Sequence, residues 1–155
     1  MILSKRLLER QQVAVDKLYN QNRSILVAPT GAGKTIICLT AIKELRAVGE
    51  LTKVIVACPA KVVSVWAKEA KKWSHTSDLK VVSLVGDVSA RSEALLQDAD
   101  IIVTSLNSLD WLLRQKHGAN GIVVDELSKA AGKYAALLRN KRSDILTWRV
   151  GTTAT

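Results

Sequence analysis

Only two cysteines occur among the 155 residues, Cys38 and Cys58, with no C-x-x-C spacing and no histidine cluster beside them. That argues against a disulfide framework and against a zinc site, and it fits a reducing compartment. Two prolines and eight glycines leave no Pro/Gly/Ser-rich linker, and neither a repeat nor a low-complexity tract is present. No uncharged apolar run approaches the ~20 residues of a membrane-spanning helix. The start, Met1 to Arg6, lacks the apolar stretch and small-residue cleavage site of a secretory signal. The expectation is a cytoplasmic chain with no membrane partner. Acidic side chains are also scarce, 14 against 23 Lys and Arg, for a net charge of +9 and a pI near 9.8. Such an excess favours a polyanion such as nucleic acid as partner, the alternative being a well-solvated basic surface.

What is present is a balance of 48% hydrophobic and 24% charged residues, enough for one compact domain with a sizeable core, in a length that two domains would barely fit. The charge is blocked out. Lys and Arg outnumber Asp and Glu thirteen to five over residues 1–75 and six to one over 129–155, but are outnumbered four to eight over 76–128. Short runs rich in Val and Ile, at 24–28, 53–57, 80–84, 100–104, 121–125 and 145–150, predict strands. Longer segments near 4–20, 34–48, 61–75, 88–97, 105–116 and 128–140 predict helices. Strands alternating with helices imply βαβ units, an α/β fold around a mostly parallel sheet. In the 61–75 segment Val62, Val65, Trp66, Ala70 and Trp73 recur at helical spacing among lysines. This makes Trp66 and Trp73 core anchors rather than base-stacking residues, and the same holds for Trp111 and Trp148.

Directly after the first strand stands Ala28-Pro29-Thr30-Gly31-Ala32-Gly33-Lys34-Thr35, followed by the apolar Ile36-Ile37-Cys38-Leu39. Glycines at 31 and 33 let successive backbone N–H groups of Thr30 to Gly33 face a phosphate, and the helix opening at Lys34 adds its positive end. Lys34 would reach the β- and γ-phosphates of a nucleotide, and the Thr35 hydroxyl would bind the bridging magnesium. The bland alternative is a glycine-rich turn. Some ninety residues later, Ile122-Val123-Val124-Asp125-Glu126 sets two carboxylates at a strand end, where a parallel sheet presents its ligands. Asp125 would hold the metal, and Glu126 would orient and deprotonate the attacking water. Alone the pair could equally be a solvated turn; with the phosphate loop it completes a catalytic set of Lys34, Asp125 and Glu126.

Asp125-Glu126-Leu127-Ser128 resembles the acidic box of superfamily 2 helicases and translocases, and its D-E-L-S form is similar to that of phage and bacterial Swi/Snf-type proteins. Ala28, standing where the phosphate-loop pattern begins with glycine, is a substitution that helicase-type loops accept. Arg10-Gln11-Gln12-Val13 resembles the family's glutamine motif, which implies an adenine contact by Gln11, with Gln12 as the competing register. A glutamine amide offers the donor and acceptor that the adenine edge needs. The stretch from Ala57 to Glu69 resembles motif Ia, implying backbone-phosphate contacts by Pro59, Ala60 and Lys61. Val103 to Asn107 resembles motif Ib, implying the same for Thr104 and Ser105, although a hydroxyl at a helix start also serves as a plain N-cap. Arg149-Val150-Gly151-Thr152-Thr153-Ala154-Thr155 resembles motif III in its T-A-T form, which implies that this segment hydrogen-bonds the acidic box and, through Thr153, Ala154 and Thr155, couples nucleotide state to the grip on nucleic acid.

The resemblance implies a RecA-like P-loop NTPase lobe over 1–155, ATP and magnesium as cofactors, duplex DNA as partner and a phage or bacterial cytoplasmic setting. Nothing here corresponds to motifs IV to VI, so the second RecA-like lobe, which brings an arginine to the ATP cleft, would have to be supplied in cis or in trans. An isolated lobe should bind nucleotide and hydrolyse it poorly. Other readings are a different P-loop phosphotransferase such as a kinase, a stand-alone nucleic-acid-binding module, and a regulatory protein that docks on a full helicase.

Overall fold

A computed structural model describes residues 7–29, 33–127, 132, 135–137 and 139–154. Among these, six strands form one sheet: β1 (Arg23–Val27), β2 (Val54–Cys58), β3 (Val81–Ser83), β4 (Ile101–Ser105), β5 (Gly121–Val124) and β6 (Trp148–Thr153). Their order is β1-β6-β5-β2-β4-β3, and every pairing is parallel. The connecting helices are α1 (Glu9–Asn20), α2 (Lys34–Ala47), α3 (Val63–Lys72), α4 (Val88–Leu95) and α5 (Leu109–Leu113). The chain is therefore an α/β three-layer domain, as the alternation of apolar runs and helical segments predicts. No helix among the described residues is long and apolar enough to cross a membrane.

Successive residues of a strand face opposite sides, so the central strands feed two cores. Val54, Val56, Cys58, Ile101, Val103, Val123 and Val150 pack with Leu18, Ile36, Leu39, Ile42, Val63 and Trp66 on the α1, α2 and α3 side. Ile55, Ala57, Ile102, Ile122 and Val124 pack with Leu109, Leu112 and Leu146 on the other. Strands β2 and β5 are buried at every position, which explains their unbroken apolar runs. Trp66, Trp73 and Trp148 are buried, and the Trp148 indole donates to Leu18 O at 3.0 Å, while Trp111 is half-buried against the second core. Val65, one position off the α3 stripe, stands exposed.

Several boundaries differ from the sequence expectation, with α1 opening at Glu9 and α3 confined to Val63–Lys72, and two further shifts have a visible cause. The last strand runs Trp148–Thr153 rather than over 145–150, because Lys141–Ser143 close a 3-10 turn and Ile145 is exposed. Gly151, Thr152 and Thr153 instead find backbone partners on the neighbouring β1, where they pair with Ile25, Leu26 and Val27. The helix expected over 105–116 is shortened to α5, since Ser105 still belongs to β4 and Leu106–Ser108 form a 3-10 turn. The helix expected over 128–140 lies largely outside the described residues; within that span 132 and 135–137 are described as helical.

Candidate functional site

Because all six strands are parallel, their C-terminal ends share one edge, and the turn leaving each strand is brought to that edge. After β1, the Ala28 N–H donates to Thr153 O at 3.1 Å, which pins the start of the loop to β6. Thr30, Gly31 and Ala32 lie outside the described residues. Gly33 has φ +81°, a left-handed conformation that favours glycine, and its carbonyl accepts from Ile37 N at 3.0 Å to open α2. A Cβ at this position would collide with the Gln11 side-chain amide nitrogen. Lys34 folds back across the loop, its Nζ donating to Ala28 O at 3.1 Å. A lone carbonyl is a neutral partner for an ammonium, so a phosphate can displace it.

Gln11 is buried on α1, with Oε1 accepting from Leu8 N at 2.9 Å and its amide against Gly33. Gln12 lies on the exposed side, where its amide donates to Asp16 Oδ1 at 3.1 Å. Of the two registers open in the sequence, the Gln11 register is the one that meets the loop.

The acidic pair comes directly after β5. Asp125 N donates to Ala57 O at 2.8 Å, and Asp125 Oδ1 accepts from the Thr152 hydroxyl at 2.5 Å. Thr152 Oγ1 also accepts from Glu126 N at 3.4 Å. Glu126 has φ +57°, the only positive φ among the described non-glycine residues, a strain of about 1–2 kcal/mol that the surrounding contacts must hold. Thr152 lies within the Arg149–Thr155 stretch whose resemblance implies a hydrogen bond to the acidic box, and it is the residue of that stretch that makes one, although it was not singled out from the sequence. Gly151 pairs with Val124, so the next residue of β6 falls beside Asp125, a relation visible only once the strand order is known. The coupling residues assigned from sequence are placed otherwise: Thr153 is buried and anchors Ala28 through its carbonyl, Ala154 is exposed, and Thr155 lies outside the described residues.

Two buried thiols sense the same charge. Burial, and then the Asp125 carboxylate, push the Cys38 thiol far up, against an opposing pull from Lys34. The same two causes push Cys58 up to about 12. Both are inert packing groups beneath the site.

The donor set suits magnesium. The half-buried Thr35 hydroxyl has no protein partner among the described residues, and the one carboxylate beside it in role, Asp125, is a hard oxygen ligand. No three His, Cys, Asp or Glu side chains converge among the described residues.

At the other end of the edge, Pro59 precedes a 3-10 turn, Ala60–Val62, on which Ala60 and Lys61 are exposed. Ser105 pairs with Cys58 across β2 and β4, so it stands beside Pro59. Its hydroxyl bonds Ser108 Oγ at 3.2 Å, and no side-chain cap is made to the following turn. Thr104 departs from expectation. It is fully buried, with its hydroxyl directed to Ser105 O at 3.4 Å, because its place in β4 turns it into the sheet. Its hydroxyl is not presented at the surface where a phosphate would bind.

A family model described as the SNF2-related domain matches residues 9–146. The chain is 31% identical over 152 residues to protein p41 of Acyrthosiphon pisum secondary endosymbiont phage 1, a match covering 89% of this chain and 33% of that protein. In fold it is similar to the Sulfolobus solfataricus SWI2/SNF2 ATPase core solved in complex with dsDNA, with a TM-score of 0.77 and 24% identity over 97% of this chain and 32% of that one. It is similar also to the UvsW helicase of bacteriophage T4, with a TM-score of 0.80 and 17% identity over 99% of this chain and 56% of that one. The chain thus spans about a third of the length of the phage relative.

Proposed function

The chain belongs to the SNF2-related domain family, and from that premise we propose that it is the first, ATP-binding lobe of a nucleic-acid-dependent ATPase of superfamily 2. The observation that carries this reading is the junction at the end of β6. One strand end binds the start of the phosphate loop through Thr153 O and the acidic pair through Thr152 Oγ1. Two motifs far apart in sequence are thereby held as one site.

In this reading Lys34 leaves Ala28 O for the β- and γ-phosphates, and the N–H groups of residues 30–33 cradle them. Gln11 reads adenine through its amide. Thr35 and Asp125 would hold magnesium, which would supply positive charge to offset that of the phosphates. Glu126 orients the attacking water and takes its proton, for which a carboxylate fixed at one backbone position is suited. Thr152 and Thr153 pass the state of the acidic pair to β6, and from there to Ala154 and Thr155. Pro59, Ala60, Lys61 and Ser105 grip the phosphate backbone, of duplex DNA by analogy with the archaeal neighbour. These contacts would not read bases.

A second RecA-like lobe, in cis or in trans, supplies the arginine that phosphoryl transfer needs; without it the rate is lower by about a thousandfold or more. The test is calorimetry of ATP with magnesium on this chain, and then hydrolysis measured with duplex DNA and a complementary lobe added. Binding by the lobe alone, with turnover rising only when both additions are present, is the expected result. Absence of nucleotide binding, or phosphotransfer to a small acceptor in place of hydrolysis, overturns it.

A further inference from the structure

Arg91, on α4, is not part of any motif read from the sequence, yet it is joined to the proposed nucleic-acid end of the edge. Its Nη1 donates to Ser108 Oγ at 2.6 Å, and the same oxygen is bonded to the Ser105 hydroxyl at 3.2 Å. The guanidinium carbon lies 4.6 Å from the centroid of the Trp111 ring, a cation–π stack that fixes its plane. The side chain is half-buried, and its Nε is buried with no hydrogen-bond partner.

A guanidinium in this state calls for an anion. Desolvation of a charge is costly unless it is paired, and a stack on an indole offsets only part of that cost. Among the described residues no carboxylate forms an ion pair with Arg91. Of the acids nearby, Asp87 caps α4 by accepting from Ala90 N at 2.9 Å, Asp110 pairs with Arg114 at 3.0 Å, and Glu93 of α4 is exposed to solvent. Ser105 lies beside Cys58 in the sheet, so the Arg91–Ser108–Ser105 chain adjoins Pro59, Ala60 and Lys61 at the C-terminal edge of the strands. A planar, permanently charged fork is the side chain best suited to phosphate oxygens.

We infer that Arg91 is a further backbone-phosphate contact of this chain, held flat on Trp111 and tied to Ser105 through Ser108 so that one phosphodiester meets a guanidinium and a hydroxyl together. The inference rests on the nucleic-acid reading above and extends it from the Pro59–Lys61 turn across to α4.

The test measures binding of the full chain to short duplexes of scrambled sequence over a range of salt, with melting temperature and ATP affinity recorded in parallel. Arg91→Gln should weaken duplex binding severalfold and flatten the slope of log affinity against log salt by about one unit, as loss of one phosphate contact does. ATP affinity should stay unchanged. Arg91→Lys should keep the slope and recover part of the affinity, since the charge remains while the fork is lost. Arg114→Gln removes the same charge from an exposed, ion-paired arginine one helix away and should leave the slope as in wild type. If wild type binds duplex with a clear salt slope and Arg91→Gln keeps that slope while only its melting temperature falls, Arg91 is a packing residue and the inference is overturned. If wild type binds no duplex even at low salt, the nucleic-acid reading itself fails and takes the inference with it.

Discussion

At the β1–β6–β5 end of the sheet edge, groups assigned to nucleotide are tied to neighbouring strands, whereas at the β2–β4 end Ala60 and Lys61 stand on an exposed turn. Thr153 O holds Ala28, Thr152 Oγ1 holds Asp125 and Glu126, and Gln11 is packed against Gly33. Lys61, by contrast, stands exposed on a 3-10 turn, and Ser105 bonds only sideways to Ser108. The contrast arises from the chemistry at each end. Cleaving a phosphoanhydride needs donors and a base already in place when charge develops, so the first end is preorganised. Gripping a sugar–phosphate backbone of any sequence needs charge and reach, so the second end can be loose.

The sharpest way to break this contrast is at the base. Glu126→Gln removes the proton acceptor and leaves the backbone bond from Glu126 N to Thr152 in place. With a complementary lobe present, hydrolysis should fall by roughly 100-fold or more, the usual worth of a positioned general base, while ATP affinity holds. Turnover equal to wild type in that assembly would remove Glu126 from the mechanism. Next in size is Lys34→Ala, which should weaken ATP binding at least about tenfold by calorimetry, because a charge-assisted contact to two phosphates is lost. Equal affinity of the two proteins would remove the phosphate-loop assignment.

Thr152→Val probes the tie itself. The swap keeps the side chain's shape but removes the buried hydroxyl of Thr152 and with it the bonds to Asp125 Oδ1 and Glu126 N. A loss of about 1–3 kcal/mol in urea unfolding is expected, together with hydrolysis reduced by less than Glu126→Gln reduces it. Unchanged stability and unchanged turnover would mean that the two halves of the site are independent and that β6 is a bystander.

How much of the fold and the site is legible in the sequence depends on whether the deciding contact is local. The phosphate loop and the acidic pair are legible because their chemistry is carried by adjacent residues at a strand end. The choice between Gln11 and Gln12 is not, since it turns on which face of α1 meets Gly33, a contact across more than twenty residues of chain. Which threonine of the motif III stretch meets the acidic box is hidden for the same reason: the contact of Thr152 exists only because β6 lies between β1 and β5 in the sheet. The end of β6 is misplaced because local apolar pattern favours Ile145, whereas backbone pairing to β1 rewards Gly151 to Thr153. Thr104 reads as a surface hydroxyl from its place next to Ser105. Alternation along β4 sends adjacent residues to opposite sides, and burial on both faces of a central strand leaves only its last position half-exposed.

The smallest effect is expected at Lys61, and it sharpens the comparison because the loose end should respond to charge rather than to shape. Lys61 is exposed on the turn after β2, next to the helix start at Val63, and neither an ion pair nor a side-chain hydrogen bond engages it among the described residues. If it touches one phosphate, Lys61→Ala releases one fewer counterion on binding, so affinity for scrambled duplexes should fall only a few-fold and the salt slope should flatten by up to about one unit. Lys72→Ala is the matched control. It removes the same charge from the far end of α3, where Lys72 lies 3.6 Å from Glu69 and is already partly neutralised. A difference in slope between the two variants places the contact at the turn, because a diffuse field would respond alike to either lost charge. Equal affinities and equal slopes would mean that the basic block over 1–75 acts as a solvated face, and the loose end would then have no assigned contact at Lys61. ATP binding should be indifferent to both substitutions, since Lys61 and Lys72 lie beyond β2 while the nucleotide end is built around β1, β6 and β5.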